Sequence, residues 1–298
     1  MLIRKQTVGL VAIVKDEEEI LIRCMTSVKQ LISTWTICDT GSTDSTQEVV
    51  MEMLGDMEGQ LSSEPWVNFG YNRTKALELA KGTADYLLML DADMQVQVSD
   101  NLPKLEANVY SLAVKGFAFD YRMPLLMRGD LDWRYTGVVH EHLAGNDYPQ
   151  VPAVPLEQWT IQVDHDPERQ AGKGERYLDL LTAEFARDPA NPRTVFYLAQ
   201  THRDLGNIGE AISFYRLRAE MGGWDQEAYY ARYQLGCLLA ANVSFAQGAD
   251  ELLQAWKERP ERIESLVALG NSALAVAAKA TIPDDALFVH GDLYARLD

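Results

Sequence analysis

The chain has 298 residues, 47% hydrophobic and 24% charged, with 27 Lys+Arg against 44 Asp+Glu for a net charge of −17. That length suffices for two domains with substantial cores, and the composition excludes a disordered, collagen-like or disulfide-stapled chain. The acidic balance argues against a protein whose main task is gripping nucleic-acid phosphates, and leaves open that some carboxylates are kept to hold a divalent metal.

At the N-terminus Arg4 and Lys5 precede the apolar run Val8–Val14, which passes straight into Lys15-Asp16-Glu17-Glu18-Glu19. The run is short for a signal segment and lacks a small-residue cleavage site, so it reads as a buried strand. From Glu18 the period changes. Ile20, Leu21, Cys24, Met25, Val28, Leu31 and Ile32 form one helical stripe. Trp35–Cys38 is a second short strand, closed by Asp39-Thr40-Gly41-Ser42-Thr43-Asp44, a cluster with turn chemistry and a cap for the next helix. A weaker strand near Gln60–Ser63 is followed by a helix carrying Ala76, Leu77, Leu79 and Ala80 that stops at Gly82. Tyr86–Leu90 is the third strong strand and ends in Asp91-Ala92-Asp93. Such strand–helix–strand units predict an α/β fold with a mostly parallel sheet in a three-layer sandwich.

Beyond Leu112 the pattern loosens. Phe117 and Phe119 alternate with smaller neighbours, Val138-Val139 is short, Thr160–Val163 is a further strand, and Pro149, Pro152 and Pro155 mark an irregular loop. After Asp166 the chain reads as helical. Leu198-Ala199, Leu235-Gly236 and Leu269-Gly270 head similar helices 37 and 34 residues apart, close to the tetratricopeptide period of about 34 residues. Gly206 to Ala211 falls where such a repeat turns into its second helix. The alternative is a plain helical bundle with coincidental spacing. The expected division is 1–166 for the α/β domain and 167–298 for a TPR-like helical-repeat domain.

The chemistry collects at strand ends. Asp91 and Asp93 follow an apolar strand, where the ligand crevice of an open α/β sheet lies. Their hard oxygens suit Mg²⁺ or Mn²⁺ bridging to a diphosphate; the alternative is a solvated surface turn. Asp39 ends another strand, and Lys15-Asp16-Glu17-Glu18 follow the first, which places three polar strand ends around one crevice. Five histidines occur, three of them in Val138-Val139-His140-Glu141-His142-Leu143 and Val163-Asp164-His165-Asp166.

V-A-I-V-K-D-E-E, C-D-T-G-S-T-D-S-T, N-R-T-K-A-L-E-L-A-K-G and L-L-M-L-D-A-D, in this order, resemble the family-2 glycosyltransferases of the GT-A (nucleotide-diphospho-sugar transferase) fold, over about the first 165 residues. An appended tetratricopeptide-like tail also occurs in that family. The resemblance implies a UDP-sugar donor and a Mn²⁺ or Mg²⁺ ion. Asp39 would contact the base or ribose, with Lys15 beside it, and Arg73 would face the nucleotide or its diphosphate. Asp93 would be the main metal ligand, Asp91 would support both metal and sugar-nucleotide, and His165 would supply a third ligand. Many relatives draw their base from an E-D pair. Here His140-Glu141 stands in that region, so Glu141 is the candidate base of an inverting transfer, with His140 or His142 as alternatives. Trp133 and Tyr135 are either a stacking wall for sugar or core aromatics.

The leading expectation is therefore a hexosyl transfer to a nucleophilic acceptor. The repeats favour a protein or peptide acceptor, with a saccharide or a hydroxymethylated DNA base as other hydroxyl-bearing choices. Two rivals stand beside it. A non-catalytic sugar-nucleotide-binding scaffold would act through its repeats, and a haloacid-dehalogenase-type phosphohydrolase also carries D-x-D after a strand. The second rival is disfavoured by Gln95 and by the central place of the motif. The acidic surplus is denser in the first 165 residues, with 13 Lys+Arg against 24 Asp+Glu.

Overall fold

The two faces of the first strand sort by parity, as the strand period of two requires. In β1 (Val8–Val14), Val8, Leu10, Ala12 and Val14 join one apolar cluster, while Val11 joins another on the opposite face. The first cluster is filled by α1 (Glu18–Val28) and α2 (Thr46–Leu54), through Ile20, Leu21, Cys24, Met25, Val28, Val50 and Leu54. The second is filled by Ala76, Leu77 and Ala80 of α3 (Phe69–Ala80). Helices on both faces of one sheet give the three layers expected from the continuous apolar strands. The computed structural model describes residues 6–116, 120–145, 151–164 and 172–279. The chain divides into two units, Met1–Ala171 and Gly172–Asp298.

The remaining strands of the first unit are β2 (Thr34–Asp39), β3 (Gly59–Ser63), β4 (Tyr86–Met89), β5 (Met94–Val98), β6 (Val109–Lys115), β7 (Tyr121–Arg128), β8 (Trp133–Thr136), β9 (His142–Gly145) and β10 (Val154–Val163). The main sheet runs β3-β2-β1-β4-β7-β6-β10-β5, and β8 pairs with β9 in a separate ribbon. Neighbours β3-β2, β2-β1, β1-β4 and β6-β10 are parallel, whereas β4-β7, β7-β6 and β10-β5 are antiparallel.

Three details depart from the sequence reading. The helix begun at Glu18 ends at Val28, and Leu31 and Ile32 pack against the core from the turn beyond it. Pro155 belongs to β10, in the stretch Val154–Leu156 that pairs with β6 before the β5 pairing starts at Trp159. A strand segment with a partner on one side tolerates the missing N–H of proline. Val138-Val139 is no strand but lies in the bend between β8 and β9. Phe117, Phe119 and Pro149 lie outside the described residues.

The second unit is helical: α4 (Lys173–Arg187), α5 (Pro192–Asp204), α6 (Ile208–Glu220), α7 (Asp225–Asn242), α8 (Phe245–Glu258) and α9 (Glu264–Lys279). Asn191 caps α5 by accepting from the Arg193 and Thr194 amides, with Pro192 at the first helical position, where its missing N–H costs nothing. Gly206 turns the chain between α5 and α6 at φ 78°, a left-handed conformation that suits glycine. Leu198-Ala199, Leu235-Gly236 and Leu269-Gly270 lie inside α5, α7 and α9 and do not head them; Ala199 is buried, whereas Gly270 is exposed with nothing within 4 Å of a Cβ. A Cβ on Gly236 would come 2.7 Å from the Leu252 side chain of α8. No helix among the described residues is long and apolar enough to cross a membrane.

Candidate active site

β1, β2 and β4 are parallel, and β2 and β4 flank β1 on either side. The chain therefore reverses its direction of travel across the sheet between β1 and β4, and a crevice opens outside the carboxyl ends of such strands. Lys15-Asp16, Asp39 and Asp91 all stand on this edge. The loops after β1 and β2 are laced together. Asp16 accepts from the Thr43 amide at 2.7 Å, and the Ser42 and Thr46 hydroxyls accept from the Asp16 and Glu17 amides at 3.0 and 2.7 Å. Asp16 takes a positive φ of 53° to close this link. The cap of α2 is more elaborate than a single side chain: Asp44 accepts from the Thr46 amide at 3.0 Å, and Glu18 accepts from the Ser45 amide at 2.8 Å.

Arg73 is the centre of the crevice. Its guanidinium bridges Asp91 and Glu141, and lies 5.7 Å from both the Phe69 and Tyr135 rings. The arginine and Glu141 side chains are largely buried, 13% and 8% exposed, while Asp91 is 34% exposed. The close approach of α3 to the β8–β9 bend makes this bridge possible. Gly70 sits against that bend so tightly that a Cβ would fall 2.2 Å from the Gly137 carbonyl oxygen. The Phe69 amide donates to the Val138 carbonyl at 3.2 Å, and the Tyr135 amide to the Thr74 hydroxyl at 2.9 Å. α3 itself starts on the Asn68 cap, and the buried Asn72 side chain accepts from the Val67 amide and donates to the Pro65 carbonyl, both at 2.9 Å.

Asp93 is half-buried one turn beyond Asp91, and its carbonyl accepts from the Asp164 amide at 2.9 Å as β10 ends beside it. Asp164 in turn pairs with Arg23 at 2.9 Å and accepts from Gln95 at 3.2 Å. Asp91 and Asp93 act on common neighbours. Burial pushes the Cys24 thiol up to about 12, and the two carboxylates push in the same direction. The Tyr121 hydroxyl is raised first by burial and then by Asp93 and Asp91. Tyr135 rises to about 12 through burial, with Arg73 opposing. Among the described residues no group of three or more His, Cys, Asp or Glu side chains is placed to hold a metal ion.

The structure brings Arg73, Asp91 and Glu141 into direct contact, which the sequence placed only in one region. Asp39 is on the same edge but turned away: 2% exposed, it accepts from the Ser42 amide and hydroxyl and, at 2.5 Å, from Gln47 of α2. Lys15 is exposed, and His140 is exposed at a positive φ of 49°. His142 is half-buried on β9. His165 lies outside the described residues. Of the two aromatics, Trp133 is a core residue, 6% exposed and donating to the Arg128 carbonyl at 2.7 Å, whereas Tyr135 lines the crevice against Arg73. A polar cavity of about 520 Å³, lined by Thr7, Asp85, Arg128 and Asp130, opens at the opposite end of β1 and β4 from these carboxylates. Glu64, Asn72 and Asp164 are additions from the structure. Asn72 stood in the sequence as the first residue of the N-R-T-K-A-L-E-L-A-K-G motif, Asp164 stood beside the histidine that drew attention, and Glu64 gave no signal beyond a polar residue after a strand.

Residues 10–120 match the family model described as Glycosyl transferase family 2. A TPR repeat-containing protein of Synechococcus elongatus is 37% identical over 90 residues, which are 30% of this chain and 21% of that protein. The chain thus spans about a fifth of the length of this curated relative. Partial structural likenesses include MamA, with a TM-score of 0.32 and 21% identity over 37% of this chain and 61% of that one. Another is glucosyl-3-phosphoglycerate synthase of Mycobacterium tuberculosis in complex with Mn²⁺ and UDP-glucose, with a TM-score of 0.25 and 18% identity over 30% and 34%.

Proposed function

We propose that this chain, whose first unit carries a glycosyl transferase family 2 domain, moves a hexosyl group from a UDP-sugar to a nucleophilic side chain of a protein or peptide, with inversion. The observation that carries this reading is Arg73 held between Asp91 and Glu141 at the carboxyl edge of that domain. One buried cation against two carboxylates leaves negative charge facing the crevice, which suits a hard divalent ion and the groups it brings. Asp93 and Asp91 would hold Mn²⁺ or Mg²⁺, which neutralises charge on a departing diphosphate. Arg73 would orient that diphosphate, exchanging one carboxylate for phosphate oxygens through its forked donors.

Glu141 is the proposed base. Its carboxylate takes the proton of the acceptor hydroxyl as the acceptor oxygen bonds to the anomeric carbon. The bond from that carbon to the diphosphate oxygen breaks, and its electron pair leaves with UDP. The ion pair with Arg73 keeps Glu141 occupied, and transfer of the guanidinium to the donor would free it. Base action is thereby linked to donor binding. His140, exposed on the same bend, is the alternative proton acceptor. For the acceptor, the second unit offers a row of rings across α5 and α7. Phe196 lies 5.3 Å from Tyr197 and 5.9 Å from Tyr230, and Tyr230 lies 5.9 Å from Tyr233. Arg193 stands 4.9 Å over Tyr197. Phe196 is buried beneath the row, and the half-buried Tyr197, Tyr230 and Tyr233 beside a cation suit an extended peptide.

Calorimetric titration with UDP and Mn²⁺ tests the donor half. Wild type should bind, and Asp93→Ala should lose the metal-dependent part of the affinity. No binding by wild type, or equal binding by the variant, would remove this reading. Glu141→Gln should keep UDP affinity while transfer falls about 10²-fold or more.

A further inference from the structure

The pleat assigns the carboxylates of the sheet edge to different faces. In β2, Trp35 and Ile37 belong to the cluster under α1 and α2, and Asp39, in step with them, turns to Gln47 of α2. In β4, Leu88 and Leu90 belong to that same cluster, so Asp91 falls on the α3 face, where Arg73 meets it. In β3, Leu61 packs toward α1 and α2, whereas Gln60 donates to the Leu79 carbonyl of α3 at 3.2 Å. Ser62 and Glu64 continue the Gln60 side. Glu64 thus stands on the face of Arg73 and Asp91, anchored by its amide to the Asp39 carbonyl at 2.9 Å. Its charge adds to the burial that raises the Cys38 thiol to about 11, and Cys38 lies in the α3-side cluster.

Glu64 also has capacity that Asp39 lacks. Asp39 is saturated by Ser42 and Gln47, while Glu64 is half-exposed and accepts on Oε1 from Ser62 at 3.0 Å. The loop after it is tied down by hydrogen bonds and presents an aromatic face. Asn72, fully buried, spends its amide on Val67, Asn68 and Pro65, and so fixes a loop on which Trp66 is 39% exposed. Trp66 meets Phe69 edge-on at 4.9 Å, and Phe69 meets Arg73, so one wall runs from this loop to Asp91. With strands about 4.8 Å apart, the β3 end lies about 14 Å from the β4 end, the reach of a nucleoside diphosphate whose phosphates lie at Asp91.

We propose that Glu64 and Trp66 recognise the base of the donor nucleotide, Glu64 by accepting a ring N–H of the kind uracil and guanine carry, Trp66 by stacking on the ring. The proposal rests on the sugar-nucleotide reading above and adds to it the residues that choose the base. Adenine and cytosine offer no ring N–H at neutral pH and donate only from an exocyclic amino group, so a carboxylate placed to meet the ring N–H of a base held by the stack discriminates against them.

The test is a titration of the full chain with UDP, GDP, ADP, CDP and inorganic pyrophosphate, each with Mn²⁺. Wild type should prefer UDP or GDP over ADP and CDP by about tenfold or more. Glu64→Ala should erase that preference while pyrophosphate and ADP affinities hold. Trp66→Ala should weaken all four nucleotides by about fivefold or more and leave pyrophosphate unchanged. Tryptophan fluorescence should be quenched by UDP or GDP in wild type and lose most of that quenching in Trp66→Phe. Retention of the wild-type preference in Glu64→Ala overturns the proposal and leaves the donor reading standing. Failure of wild type to bind any of the nucleotides overturns both.

Discussion

Two buried arginines, one in each unit, show how differently the same side chain can be used. Arg218 of α6 has no exposed surface; it pairs with Glu227 at 2.7 Å and donates to the Gly222 and Trp224 carbonyls at 2.9 and 3.3 Å. One cation, one carboxylate and two carbonyls make a closed, neutral set that ties the end of α6 to the start of α7. Arg73 instead faces two carboxylates and two rings, and its partner Asp91 remains a third exposed. The first arrangement is complete without a ligand. The second has an excess of negative charge and an open side, which marks it as a site of exchange.

Removing each arginine should therefore fail in a different way. Arg218→Ala leaves Glu227 buried without its counter-ion, and should cost about 3–5 kcal/mol in thermal or denaturant unfolding of the full chain. The double change Arg218→Met with Glu227→Leu should recover most of that loss, since the uncompensated charge and not the missing pair is what destabilises. Arg73→Ala leaves Glu141 buried without its counter-ion but Asp91 a third exposed, so it should cost less than Arg218→Ala, about 2–3 kcal/mol of stability, and should lower transfer about 10²–10³-fold. Equal stability losses for the two single variants would erase the distinction between them.

How far the sequence exposes such a contrast depends on the range of the interaction. The strands β1, β2 and β4 were legible because both faces are covered, which requires unbroken apolar runs. β5 went unread. Gln95-Val96-Gln97-Val98 does alternate, but the segment follows Asp93 with no Gly or Pro to separate it from β4, and its partner β10 is more than sixty residues away. The acidic strand ends were read as one set because strand direction places them on one edge. Which face each occupies depends on pleat phase and on Gln47 and Arg73, and only the structure supplies that. Asn72 illustrates the limit. In the sequence it is a polar helix residue; in the fold it is wholly buried and shapes the loop before its own helix.

Asn72 accordingly separates loop shape from crevice chemistry. Asn72→Ala should cost about 2 kcal/mol, because the Val67 amide and the Pro65 carbonyl lose a partner they cannot easily replace. Its signature should be local: faster hydrogen exchange at residues 65–68, with the β1, β2 and β4 amides unchanged. Uniform acceleration across the sheet would mean that the loop is no independent element.

The smallest effects compare two glycines within the helical unit. Gly248 of α8 lies where a Cβ would come 2.4 Å from the Ala240 amide nitrogen of α7, so a methyl group must force backbone apart. Gly209, in the first turn of α6, has nothing within 4 Å of that position. Overpacking should make Gly248→Ala about 1–3 kcal/mol less stable. Gly209→Ala should gain about 0.5–1 kcal/mol, because alanine loses less backbone freedom on entering a helix and meets no neighbour. Opposite signs in denaturant midpoints would show that the small residues of this unit are of two kinds, one required by close helix packing and one tolerated at a solvent-facing helix start. A loss at both positions would refute that division and would mean that α6 meets a surface at Gly209 as α8 does at Gly248.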